Sequence, residues 1–196
     1  MLDALAAGED EGVWADFDAR YRPILVAVAR RKGLGEEESA DAAQEALVRF
    51  VGAYRKGRYD RSKGRLSAWL LGIARNCIAD AFRDKARIGA AARVSQIADE
   101  YAAEAFDALW DEEIQREMLR QAIDRLRSNP RMNEKTLAAF ELVVLQDVAP
   151  SVVADRLSMA VSDVYVAKHR CLTKLRVFLK DLAAAYELDG SEVRDG

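Results

Sequence analysis

The chain has 196 residues, enough for one or two domains that fold without disulfide or metal staples. Apolar residues make up 51% of it, which excludes general disorder, and its formal net charge of −3 means that any nucleic-acid contact has to come from local basic patches. It has two cysteines without CxxC spacing and one histidine, so a disulfide framework, a zinc finger and a histidine-based catalytic triad lose support. We therefore expect no metal, no cofactor and no catalytic residues.

The N-terminal segment, residues 1–18, is acidic and lacks the order of basic and then apolar residues that is typical of an export signal. No apolar run approaches the roughly 20 residues needed to cross a bilayer. The sequence predicts a soluble, cytoplasmic protein without membrane insertion.

Apolar spacing predicts an all-α chain, because Ala, Leu, Arg and Glu dominate and prolines are few. Taken in chain order, the first helices are expected over residues 13–31, 36–54 and 66–83, sharing one core. Helical spacing resumes at Trp110 and predicts helices over residues 110–126, 137–145, 151–157 and 161–186. The last two flank a turn at residues 158–160, which is the layout of a helix-turn-helix.

We expect two small helical domains joined by a flexible linker. The first domain covers residues 1–88, the linker 89–108, the second domain 109–187 and a frayed tail 188–196. Residues 99–117 carry eight acidic residues against one arginine. This acidic stretch is interpreted as a solvated linker, and the alternative is a shield over a basic patch.

Positive charge is concentrated in two places. Residues 55–93 contain eleven basic residues against three acidic ones, interleaved with Tyr54, Tyr59 and Trp69. Such a mixture is expected where a surface follows a phosphate backbone and stacks unpaired bases. The alternative is a solvated loop whose aromatic side chains pack inward, and Trp69 taken alone is expected in the core. Residues 161–180 carry a net charge of +4, typical of a recognition helix.

Two stretches carry motifs. The first reads DAAQEALVRF from Asp41, then Tyr59-Asp60, then WLLGIARNCIADAFR from Trp69. The second reads AFEL from Ala139, then VVADRL from Val152 and VSDVYVAKHR from Val161. In this order and distance they resemble regions 2 and 4 of the sigma-70 family of bacterial transcription initiation factors, in particular the small two-domain extracytoplasmic function (ECF) type.

The region 2 resemblance implies two surfaces. One docks on the clamp coiled coil of the largest subunit of core RNA polymerase, through Asp41, Gln44, Glu45 and Arg49. Its polar, partly acidic character suits a protein and would repel DNA, although an ordinary solvated helix face has the same composition. The other binds and melts the minus-ten element of promoter DNA, through Tyr59, Arg61, Lys63, Arg65, Arg75 and Asn76.

The region 4 resemblance implies contacts with the minus-thirty-five element through Ser162, Tyr165, Val166, His169 and Arg170, and contact with the flap region of the polymerase. The sequence departs from the family pattern at three positions. Ser158 replaces the usual turn glycine, Ala160 stands at the expected N-cap, and Asp163 places a negative charge at the DNA-facing end. The resemblance also implies an anti-sigma factor as a partner.

The expected function is therefore that of a sigma factor, which binds core polymerase, positions promoter DNA and starts strand separation, with no enzymatic activity of its own. One alternative is a helix-turn-helix repressor or activator that acts without replacing the sigma subunit, which leaves the basic and aromatic loop at residues 54–65 unexplained. A second alternative is a helical protein-interaction module. A repressor would bind duplex DNA alone as a dimer, whereas a sigma factor would be a monomer that needs polymerase.

Overall fold

The structure, a computed structural model, describes residues 11–88 and 103–186. These residues form seven α-helices and no strand, which confirms the predicted all-α class. The helices are α1 (Glu11–Arg31), α2 (Glu36–Arg55), α3 (Leu66–Ile88), α4 (Ala103–Arg127), α5 (Glu134–Phe140), α6 (Pro150–Leu157) and α7 (Val161–Ala185), with a 3-10 turn at Arg61–Lys63 and a π-helical turn at Glu141–Leu145. Every helix in the two described ranges is too short or too polar to serve as a membrane span.

The chain divides into two compact units, Met1–Glu117 and Met118–Gly196. In the first unit, α2 packs against both α1 and α3. Phe17 of α1 and Phe50 of α2 are at most 1% exposed, and their rings stack with centroids 4.7 Å apart. Leu70 and Ile78 contribute buried side chains from α3. Burial of each such side chain contributes about 1.5–3 kcal/mol, so this shared core fixes the orientation of α2 and α3.

The start of α2 is fixed by its flanking residues. Gly33 ends α1 with a φ of 103°, a conformation that disfavours other residues. The backbone N–H of Gly35 donates to Glu38 Oε2 at 2.7 Å, and three glutamates occupy the positive end of the helix dipole. Lys85 Nζ of α3 lies 2.8 Å from the same Glu38 oxygen and holds the pKa of that carboxyl below its usual value.

α4 begins earlier than predicted. Residues 103–108, the last part of the predicted linker, are helical, and residues 89–102 lie outside the described residues. The reason is Phe106, a fully buried side chain four residues before Trp110, which extends the apolar stripe by one turn. The rings of Trp110 and Tyr21 stack 6.4 Å apart, and the first compact unit extends to Glu117.

Acidic residues of α4 bind α1. Arg31 Nη1 donates to Glu112 Oε2 at 2.7 Å and to Glu113 Oε1 at 2.8 Å. The guanidinium group lowers the pKa of the Glu112 carboxyl. These two carboxylates of the acidic stretch thus pair with α1, and Arg116 of their own helix is a second partner for both.

In the second unit, α6 and α7 follow one another across a turn at residues 158–160. α6 and α7 pack against α5 around a cluster of small buried side chains, which allows the helices to approach closely. The cluster consists of Ala139, Val153, Ala154, Val164 and Ala167. The predicted tail, residues 188–196, lies outside the described residues.

Ser158 and Ala160 leave local defects at the turn between α6 and α7. Ser158 ends α6 in the left-handed conformation, with φ 50° and ψ 57°, where a side chain is unfavourable. Ala160 is the N-cap of α7 and offers no side-chain hydrogen bond to the first turn.

We expect Ser158→Gly and Ala160→Ser each to raise the free energy of unfolding of the second unit by about 1 kcal/mol, because the first removes the left-handed strain and the second caps α7. Urea unfolding followed by helical circular dichroism measures the effect. The matched control is Ser151→Gly in α6, which places glycine in a helical conformation and should destabilise. Destabilisation by Ser158→Gly would contradict the strain argument.

Both cysteines are free and buried, on α3 and α7. Burial raises the pKa of the Cys77 thiol, and it raises that of Cys171 to about 11. The thiolate, which is the reactive form, is therefore scarce at both positions at neutral pH.

Candidate functional site

The first candidate surface is an exposed face of α2. Asp41, Gln44 and Glu45 are all exposed on it, at the spacing that brings side chains together on a helix. The structure adds Val48, which is 54% exposed and follows Gln44 by four residues. Sequence reasoning missed Val48, although an apolar residue in register with a polar face is a signal for a contact. We call these four residues, together with Arg49, the α2 face.

Hydrogen bonds orient the polar side chains of the α2 face. Gln44 Oε1 accepts from Arg22 Nη2 at 2.7 Å, and Arg22 Nε donates to Asp18 Oδ2 at 2.8 Å. This bond connects α1 to the α2 face. The amide of Gln44 is thereby held in one orientation by a charged neighbour.

Arg49 connects the α2 face to α3. Its Nε donates to Glu45 Oε1 at 2.6 Å and its Nη1 donates to Asp80 Oδ2 at 3.0 Å. The two carboxylates raise the pKa of the Arg49 guanidinium further above its ordinary value. Asp80 also pairs with Arg83 at 2.7 Å, the ion pair that their spacing predicts. Arg49 therefore stands between two acidic partners and holds α2 and α3 in register.

The second candidate surface is the loop between α2 and α3, residues 56–65. Asp60 organises it: its Oδ1 accepts from the backbone N–H of Ser62 at 3.0 Å and from the Ser62 hydroxyl at 2.7 Å. These bonds lower the pKa of the Asp60 carboxyl. Lys63 Nζ lies 3.7 Å from Asp60 Oδ2, and the Tyr59 hydroxyl donates to the carbonyl of Gly64 at 3.2 Å. The loop is thus closed by its own side chains.

Aromatic rings connect this loop to the core. The ring of Tyr59 lies 5.4 Å from that of Trp69 and 5.9 Å from that of Tyr54. Trp69 in turn lies 5.1 Å from the buried ring of Phe50. Trp69 was expected either in the core or on a base-stacking surface. It does both in the structure, because it packs on Phe50 and also lines the loop surface.

Two open pockets flank the loop. The aromatic pocket has a volume of about 270 Å³ and is lined by Arg58, Tyr59, Asp60, Lys63, Gly64, Arg65, Ala68 and Trp69. The Asn76 pocket has a volume of about 380 Å³ and is lined by Arg49, Gly52, Ala53, Lys56, Arg58, Ile73 and Asn76. Arg58 lines both, so one guanidinium serves two neighbouring depressions.

Four of the six predicted DNA-binding residues of the first unit line these pockets. Tyr59, Lys63 and Arg65 line the aromatic pocket, and Asn76 lines the other. Arg75 is half-buried on α3 and lines neither of them, and Arg61 belongs to the 3-10 turn. The prediction omitted Lys56, Ala68 and Ile73, which also line the pockets. Their positions in the lining depend on how α2 and α3 pack, which the local sequence does not reveal.

The third candidate surface is the N-terminal half of α7. All five predicted residues are exposed there: Ser162, Tyr165, Val166, His169 and Arg170. Val164 and Ala167 are buried between them and anchor the helix on α5 and α6. The structure therefore presents the predicted recognition surface as one side of α7.

Residues 17–88 match the protein family described as Sigma-70 region 2. The match begins at Phe17 in α1 and includes α2, the loop and α3, so it covers the α2 face and both pockets. A Sigma-70 region 2 domain is thereby detected in the first unit. A search of curated proteins finds none that matches the chain.

Proposed function

We propose that the chain is a sigma factor of the small two-domain ECF type, which binds core RNA polymerase, recognises promoter DNA and starts its melting. The observation that carries the proposal is the position of the region 2 match, which spans the α2 face and both loop pockets. The chain acts in the cytoplasm and contributes binding surfaces, not catalytic groups. An anti-sigma factor that covers one of these surfaces is part of the proposal.

The α2 face docks on the clamp coiled coil of the polymerase. Its acidic and amide side chains lie beside the exposed Val48, so the face combines an apolar side chain with polar neighbours. The bond from Arg22 fixes Gln44 before binding, which lowers the ordering cost of the contact. Asp41 and Glu45 against Arg49 leave the face with a net charge of −1, which a basic partner complements.

The loop pockets capture unpaired bases of the minus-ten element. Flipping a base out of a duplex costs a few kcal/mol, and stacking on an aromatic side chain returns about 1–3 kcal/mol per base. Tyr59 and Trp69 supply the aromatic walls, while Arg58 and Arg65 supply positive charge for the phosphates. Because Asp60 and the Tyr59 hydroxyl already close the loop, the pocket needs little rearrangement when a base enters.

The second unit positions the upstream DNA. Its helices α6 and α7 have the layout of a helix-turn-helix, and in this proposal the exposed side of α7 enters the major groove of the minus-thirty-five element. The same unit contacts the flap region of the polymerase. Together the two units hold both promoter elements.

The test is run-off transcription with purified core polymerase and promoter fragments from the source genome. We expect a defined transcript when the chain is added and none from core polymerase alone. A chain that binds duplex DNA tightly as a dimer and adds no transcript would instead support the repressor or activator alternative.

We expect Val48→Asp to lower the affinity for core polymerase by about tenfold or more, because it replaces the exposed apolar side chain of the contact by a carboxylate that has to lose its water on binding. Competition with a labelled wild-type chain for core polymerase measures this. The matched control is Leu119→Asp on α4, a position of similar exposure outside the α2 face. Equal affinity of the Val48 variant and the wild type would show that Val48 does not contribute to binding core polymerase.

A further inference from the structure

Apolar side chains are exposed on α7 where a DNA-reading helix normally presents polar ones. Val161 is 43% exposed, Tyr165 56% and Val166 47%. Val161 and Tyr165 are four residues apart and share one face of the first two turns of α7, and Val166 is exposed beside that face. We call these three side chains the apolar patch.

The same turns lack the side chains that usually read purines. Arginine or lysine reads guanine, and asparagine or glutamine reads adenine, by paired hydrogen bonds in the major groove. Residues 161–167 read VSDVYVA and contain none of these four residue types. Its apolar side chains can contact the 5-methyl group of thymine, and its polar groups are the hydroxyls of Ser162 and Tyr165 and the carboxylate of Asp163.

Charge favours DNA over a protein as the occupant of this patch. Lys168, His169 and Arg170 follow it directly, and the helix carries three further basic residues before residue 181. An apolar patch that is followed by basic residues on the same helix suits a DNA groove, because the groove is bordered by negatively charged phosphates.

We propose that Val161, Tyr165 and Val166 determine promoter specificity by contacting thymine methyl groups in the upstream element. This proposal rests on the proposed function of the second unit. It adds that the chemical group recognised in the DNA is the 5-methyl group of thymine. In this arrangement His169 and Arg170 hold the phosphate backbone, and the apolar patch distinguishes thymine from cytosine and from uracil.

Deoxyuridine substitution tests this directly, because it removes the methyl group and leaves base pairing intact. The full chain is combined with core polymerase and bound to a promoter fragment found by run-off transcription. Each thymine in the upstream footprint is replaced by deoxyuridine, one position at a time. We expect at least one position to lower affinity about fourfold, the factor that corresponds to burial of one methyl-sized group.

Variants assign the effect to the patch. Val166→Ala should reduce the thymine-to-deoxyuridine ratio at one or more positions towards one. The matched control Val177→Ala removes a side chain of similar exposure, 49%, from the same helix and should preserve the ratio. Circular dichroism of both variants checks that the helix is intact.

Two results would overturn the proposal. One is an unchanged affinity at every substituted thymine. The other is a loss of affinity by Val166→Ala that is equal on thymine and deoxyuridine fragments, which would make the patch a contact for a protein. Failure of the proposed function itself has a different signature, because no fragment would then yield a transcript.

Discussion

Charge reversal at the α2 face, through Asp41→Arg together with Glu45→Arg, is expected to abolish association with core polymerase. Each substitution replaces an exposed carboxylate by a cation that repels a basic partner, and like charges at an interface cost several kcal/mol. We expect the affinity to fall by about a hundredfold or more. Co-purification with core polymerase and a quantitative binding titration measure the change.

The fold should survive these reversals. Arg49 loses Glu45 but keeps Asp80 as a partner, so the connection between α2 and α3 remains. The matched control is Asp16→Arg with Asp111→Arg, two exposed carboxylates of the same unit outside the α2 face, which changes the net charge equally. Unchanged co-purification of the Asp41 and Glu45 variant would refute the docking assignment, and equal loss in the control would reduce it to an effect of net charge.

Replacing Tyr59 and Arg61 by alanine is expected to impair transcription from a closed duplex more than from a template with a pre-melted bubble. The bubble already provides unpaired bases, so only the closed template needs the stacking that offsets base flipping. Loss of one stacking partner corresponds to a reduction of between about fivefold and 150-fold on the duplex. Run-off transcription on the two templates under the same salt conditions measures the ratio.

Tyr59→Phe separates stacking from loop closure. It keeps the ring beside Tyr54 and Trp69 and removes the hydroxyl that donates to Gly64. We expect this variant to retain most duplex activity if the ring carries the melting role. Equal losses on duplex and bubble templates in the alanine variant would argue against a role in melting.

Local sequence was sufficient for the helices and for the exposed candidate residues. The spacing from Phe17 to Val28 and from Leu70 to Phe82 predicts helices whose buried faces the structure confirms. The start of α4 was missed because Phe106 lies among alanines and acidic residues that weaken the apolar period. Its burial depends on packing with the rest of the first unit, which a short window of sequence does not contain.

Contacts between residues that are far apart in the sequence could not be predicted either. Arg49 and Asp80 are 31 positions apart, and only the packing of α2 on α3 brings their side chains together. The Asn76 pocket arises in the same way, since Gly52 and Lys56 come from one side of it and Ile73 from the other. Val48 was visible in the sequence, but its exposure follows from which face of α2 the core covers.

The buried thiols bear on how the chain can receive a signal. Cys77 and Cys171 are its only sulfhydryl groups, and both are enclosed and held in the protonated form. Peroxides and disulfide reagents attack the deprotonated, accessible sulfur, so the folded chain should react with them slowly. Oxidative stress is therefore not expected to act on the chain through these two sulfur atoms while the chain stays folded.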